Sequence, residues 1–182
     1  MAVKPELTIW TIGHSTRPIK EFLDLLAENH VETVADVRSY PGSRRHPQYG
    51  QDALRDELRL HGFDYYWLSA LGGRRRARPD SLNTVWRNAS FRGYADYMQT
   101  PQFTEGLDEL LSLAMEKNTT LMCSEAVWWR CHRSMIADAL KARGVRVLHV
   151  IGANGVTGHP YTAPARIHDG QLIYSKDGQL PK

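Results

Sequence analysis

Five residues that lie close together in the chain have the types that chemistry needs: Cys123, Glu125, Cys131, His132 and Arg133. A cysteine near the start of a helix meets the positive end of the helix dipole, which favours thiolate. His132 and Arg133 add an imidazole and a fixed cation beside Cys131, an environment for a reactive thiol or for an anion. The competing reading is that Cys131 packs as a small apolar residue. Glu125 closes an apolar run and enters a Trp-containing loop. Carboxylates seldom enter such surroundings unpaired, so it is expected to meet Arg133, Arg130 or Arg38. It then serves either as a general acid or base or as one half of a structural ion pair.

Other chemistries fit the same residues less well. Cys123, Cys131 and His132 could ligate zinc, with His14 or Glu125 as a fourth ligand. The spacing lacks the short Cys-x2–4-Cys clip of structural zinc sites, and adjacent Cys131 and His132 should diverge if both are helical. A Cys123–Cys131 redox pair lacks the Cys-x-x-Cys signature. A triad of Ser15, His14 and Asp36 lacks the Gly-x-Ser-x-Gly elbow. The expectation is therefore a site that needs no cofactor, with zinc as the exception. Trp128 and Trp129 read as core or lid more readily than as a stacking platform.

The elements that must position these groups follow from hydrophobic periodicity. Strands are expected at 7–13, 31–38, 63–68, 119–125 and 145–151, and helices at 18–30, 52–61, 91–100, from Pro101 onward and at 131–143. A hairpin is expected in ARIHDGQLIYS, turning at Asp169-Gly170. Strands alternating with helices give an α/β fold in a single domain over 1–182. Its core is a mostly parallel five-stranded sheet with helices on both faces, followed by the C-terminal β-hairpin. Ligands of such sheets gather at the carboxyl ends of the strands. That rule brings His14 and Ser15, Asp36 and Arg38, the Gly72-Gly73 turn, Cys123 and Glu125 to one rim.

The chain has 182 residues, 42% of them hydrophobic and 24% charged, which suits a globular protein rather than a disordered one. Its net charge of +3 is unevenly spread. Residues 38–92 hold eleven Arg, no Lys and five acidic residues, a net +6, against −3 elsewhere. Arg38, Arg44, Arg45, Arg74, Arg75 and Arg76 suit phosphate or carboxylate, because guanidinium binds both in two-pronged fashion. The partner expected is an anionic substrate, with nucleic acid or a nucleotide among the candidates. No apolar run approaches the roughly 20 residues of a membrane helix, and the N-terminus lacks a signal peptide's apolar stretch. A cytoplasmic protein with no membrane partner is expected.

With these residues in hand, the chain resembles the bacterial and archaeal domain-of-unknown-function family number 488, from Thr11 to about Tyr174. The resemblance rests on TIGHS, DVRSYPGSRRHPQY, LGG, FRGYADYM and LMCSEAVWWRCHRSMIADAL. It implies a compact α/β domain and marks the same residues, but it supplies no substrate. Three functions stay open. The first is an enzyme acting on nucleic acid or a nucleotide, with Glu125 as acid or base, His14 or His132 assisting and Cys131 available as nucleophile. Arg133, Arg38, Ser15, Asp36, Gly72, Gly73 and Arg75 would hold its substrate. The second is a non-catalytic nucleic-acid-binding module using the Arg-rich face. The third is a thiol or metal enzyme on a small anion.

Overall fold

The computed structural model describes residues 6–175. Residues 1–5, the start of the segment read for a leader, and the last seven residues lie outside the described residues. Five parallel strands occupy the positions where β-branched and aromatic residues cluster: β1 (Thr8–Gly13), β2 (Thr33–Asp36), β3 (Asp64–Trp67), β4 (Thr119–Cys123) and β5 (Arg146–Gly152). The main sheet has six strands rather than the five expected. β6 (Gly155–Gly158) folds back antiparallel on β5 through the two-residue turn Ala153-Asn154, with Asn154 at φ 60°. The order is β3-β2-β4-β1-β5-β6. The hairpin β7 (Arg166–His168) and β8 (Gln171–Ile173) turns at Asp169-Gly170 as expected, both residues having positive φ.

The helices are α1 (Ile19–Glu28), α2 (Gln51–Leu60), α3 (Ala89–Tyr97), α4 (Pro101–Glu116) and α5 (Arg133–Ala142). Their starts follow local chemistry. Asn88 caps α3 by accepting from the Ser90 and Phe91 N–H groups, and Thr100 caps α4 with Pro101 at the first helical position. The period-two alternation of each strand sorts the core into two layers. Val34, Met122, Ile12 and Val150 pack on α1 and α2 through Phe22, Leu26, Leu54 and Leu58. Ala35, Leu121, Ile9 and Val147 face α3, α4 and α5 through Tyr94, Phe103, Leu107, Met135 and Leu140. None of the described helices is long and apolar enough to cross a membrane.

This wiring creates a switch point. α1 leaves β1 across one face toward β2, whereas α5 leaves β4 across the other face toward β5. The carboxyl ends of β1 and β4 therefore lie side by side with their following loops splayed apart, which opens a crevice between them. The ladder continues past the strands, where the His14 N–H donates to the Cys123 carbonyl and the Ser15 N–H to that of Ser124. Contact at the crevice floor is so close that a Cβ on Gly13 would fall 1.8 Å from the Glu125 carbonyl oxygen. Gly13→Ala should therefore cost about 2 kcal/mol or more, since the clash is with backbone that cannot rotate away. Denaturant unfolding measures this, and an unchanged midpoint would contradict the close approach.

Candidate functional site

The crevice widens into a pocket of about 730 Å3. His14, Ser15, Arg38, Gly73, Cys123, Glu125, Cys131 and His132 all line it, whereas Asp36, Gly72 and Arg133, also expected at this rim, are not among the lining residues. Arg45, Arg74 and Arg130 add positive charge, and Glu125 is the only acidic residue among the lining side chains described. Arg44, Arg75 and Arg76 are not in the lining. Arg75 instead lies over the Tyr97 ring, 3.6 Å from its centroid, and donates to the Gly72 carbonyl.

The floor is organised by Arg133. This side chain is 1% exposed, yet among the described residues no carboxylate pairs with it. Its Nε donates to Cys131 Sγ at 3.3 Å, its backbone N–H reaches the same sulfur at 3.5 Å, and Nη2 donates to the Glu125 main-chain carbonyl. A buried cation needs a counter-charge. Among the described residues, the only group bonded to this one that can become an anion is the Cys131 thiol. Burial pushes that thiol up, but the Cys123 hydrogen bond and the Arg133 charge and donors outweigh it and bring it down to about 6. Cys123 moves the opposite way, to about 12, first through its bond to Cys131 and then through burial. The surroundings thus favour the neutral thiol at Cys123 and the anion at Cys131.

Local backbone explains how these groups meet. Cys131 lies not in the helix but before it, extended at φ −128°, ψ 147°, after a 3-10 turn at Trp128–Arg130. α5 begins at Arg133, with His132 as its cap position. The expected divergence of Cys131 and His132 therefore does not occur. Cys123 Sγ, Cys131 Sγ and a His132 ring nitrogen all lie within 4.8 Å of one another. His132 Nε2 is 3.0 Å from the Val37 carbonyl, which can only accept. Nε2 therefore donates to that carbonyl, and Nδ1 faces Cys131 Sγ at 3.7 Å. Gly73 permits this orientation, since a Cβ there would come 3.0 Å from His132 Nδ1. Gly72 makes a similar approach to Ser39, whose hydroxyl donates to the Gly73 carbonyl.

Other expected site residues have different partners from those anticipated. The Glu125 residue is exposed on the pocket wall, and among the described residues its carboxylate makes no ion pair. Arg133 holds its main chain instead. Asp36 is fully buried and grips Arg38 through Nε and Nη2, while Tyr65 donates to it at 2.7 Å. Arg38 also donates to the Tyr49 carbonyl. His14 stacks on Tyr49, and its Nδ1 bonds to the Ser15 carbonyl. Burial, with the Arg38 charge, lowers His14 to about 4, so its ring is neutral. No Ser15–His14–Asp36 triad is formed.

The sequence reading missed a second polar group on the opposite flank of α5. Thr11 Oγ1, His149, His159 and Asp138 form a buried chain with links of 2.7, 2.9 and 2.9 Å, and Asp138 also accepts from Thr162 and Tyr174. The signal was His149 within the apolar run VRVLHVI, since a polar group there must find a partner. Trp128 stacks flat on His149 at 4.3 Å, which fixes the turn leading to Cys131.

A mostly parallel α/β sheet with a basic switch-point pocket defines the class of protein. The family model described as "Domain of unknown function DUF488" matches residues 18–140, and the chain belongs to that family. The matched span holds α1 through most of α5, including Cys123, Glu125 and Cys131–Arg133; His14, Ser15 and everything from β5 onward lie outside it. No curated protein and no solved structure matches the chain.

Asp36 and Arg38 read from this geometry as the brace of the pocket wall. Asp36→Ala should destabilise the fold by about 3–5 kcal/mol, because it strands a buried guanidinium. Thermal or denaturant melting checks it, and a loss under about 1 kcal/mol would show that Arg38 is not held by this pair.

Proposed function

We propose that this protein is an enzyme acting on an anionic substrate of about nucleotide size, with the Cys131 thiolate as its nucleophile. The carrying observation is the buried Arg133, whose only bonded group among the described residues able to supply a counter-anion is Cys131 Sγ, at the floor of an Arg-lined pocket. Arg45, Arg74 and Arg130 bind the phosphate or carboxylate of the substrate, and the Ser15, Ser39 and Asn88 side chains suit its neutral polar groups.

The thiolate sulfur bonds to the electrophilic atom of the group transferred, and the leaving group departs with the electron pair of the broken bond. Glu125, on the pocket wall, gives that leaving group a proton. A water then attacks the covalent intermediate, loses its proton to Glu125, and the sulfur leaves as thiolate. Arg133 stabilises the sulfur anion at both ends of the cycle and is a positioning residue.

Support for a second reading comes from the tight grouping of Cys123 Sγ, Cys131 Sγ and His132 Nδ1. A soft divalent ion such as zinc could take these three and keep one position open for water or substrate, as catalytic zinc sites do. Elemental analysis separates the two readings: about one equivalent of bound metal favours the second, and metal-free protein with a reactive thiol the first.

The first reading is tested by binding and turnover. Labelled nucleotide and single-stranded oligonucleotide should bind more weakly as salt rises, and the Arg45→Glu/Arg74→Glu protein should bind about tenfold or more weakly. For a bound ligand that turns over, Cys131→Ser and Glu125→Gln should each lower kcat while leaving binding intact. Salt-independent binding, or a double charge reversal without effect, removes the anionic substrate. Turnover that survives Cys131→Ser removes the nucleophile.

A further inference from the structure

Cys123 is buried, reduced and unused as a nucleophile in the reaction above. Its position gives it a second use. We propose that Cys123 is the resolving thiol for oxidation of Cys131 by hydroperoxides, so that the site is switched off reversibly by a Cys123–Cys131 disulfide. The inference rests on the reading of Cys131 as the nucleophile and adds a modification to the same site.

Three observations carry it. First, both cysteines are free and both line the pocket, so a small peroxide that enters can meet Cys131 with Cys123 beside it. The two sulfurs belong to a group no more than 4.8 Å across. Second, the two cysteines come from different elements that meet at the pocket floor. Cys123 ends β4 in register with Gly13, and its carbonyl accepts from the His14 N–H. Cys131 is extended at the junction of a 3-10 turn and α5, after the exposed residues Ser124–Ala126. A disulfide of about 2.0 Å therefore has to close a sulfur separation of no more than 4.8 Å between the end of β4 and the turn before α5. Third, the cation that stabilises the nucleophile also activates it toward peroxide, since Arg133 presents two donors to the same sulfur.

The chemistry balances as a two-electron oxidation. Cys131 Sγ attacks one oxygen of the hydroperoxide, a sulfur–oxygen bond forms, and the oxygen–oxygen bond breaks. The departing oxygen takes a proton and leaves as water or alcohol, and Cys131 becomes a sulfenic acid. Cys123 then loses its proton as its sulfur bonds to Cys131 Sγ. The sulfur–oxygen bond breaks, and the leaving hydroxide takes up that proton as water. His132 Nδ1, 3.7 Å from Cys131 Sγ, is placed to relay the proton. The product has no thiolate for Arg133 and no nucleophile, and a dithiol restores both.

The test exposes the full chain to hydrogen peroxide at neutral pH and measures intact mass after blocking free thiols with iodoacetamide. The wild type should lose two hydrogens and both alkylatable thiols, and dithiothreitol should return them. Cys123→Ser should instead gain one oxygen, trapped by dimedone on Cys131, and then pass to species with two or three added oxygens. Wild-type protein that alkylates readily at Cys131 but goes straight to the over-oxidised species overturns this inference alone. A Cys131 that neither alkylates nor oxidises in the folded protein overturns the thiolate reading beneath it as well.

Discussion

The interaction on which the site depends is the bond between a buried guanidinium and a sulfur. Arg133 is among the largest fully buried side chains, and among the described residues the only partners bonded to its side chain are Cys131 Sγ and the Glu125 carbonyl. Desolvating a guanidinium is costly, and main-chain carbonyls do not neutralise it. The charge is balanced when Cys131 is a thiolate and Cys123 keeps the proton. One ionisation choice thus links the end of β4, the 124–132 loop and the first turn of α5.

The rest of the fold can be read as the means of holding that contact in place. The parallel sheet aligns the ends of β1 and β4, and the opposite departures of α1 and α5 open the crevice between them. Gly13 lets the loop after β4 lie against β1, and Gly73 lets the His132 ring lie against the loop after β3. On one side the Asp36–Arg38 pair stiffens the wall; on the other, the chain from Thr11 through His149 and His159 to Asp138 anchors the surface on which Trp128 stacks. These two polar assemblies lie in different layers, so α1 and α2 support one wall and α5 with the C-terminal hairpin supports the other.

Much of this was legible in the sequence because it follows from local rules. Apolar runs such as LTIWTIG and TTLMC mark strands, Pro101 after Thr100 marks a helix start, and Asp169-Gly170 marks a hairpin. The strand-end rule then gathers His14, Arg38, Cys123 and Cys131 without further information. β6 was not legible, since GVTG has two glycines and too few apolar residues to alternate. The extended backbone at Cys131 was hidden too, because Cys-His-Arg before an apolar stripe looks like a helix start one or two residues early. Glu125 was expected in apolar surroundings because Trp follows it, but Trp128 turns inward to His149 and leaves the carboxylate in solvent. The pairing of Asp138 with His159 joins residues 21 apart in sequence, and no local pattern announces such a contact.

The central claim concerns one proton, and its most direct measurement is the ultraviolet absorbance of thiolate as a function of pH, in wild type and in Cys131→Ser. A thiol has no such absorbance, so the difference between the two proteins follows Cys131 ionisation in the folded state. The account predicts a transition near pH 6, well below the ordinary thiol value of 9.0, and its loss in the variant. An Arg133→Gln protein should move that transition upward, since removing the cation destabilises the anion. A wild-type transition at 9.0 or above, unchanged by Arg133→Gln, would show that Cys131 is an ordinary buried thiol and that the guanidinium is balanced in some other way.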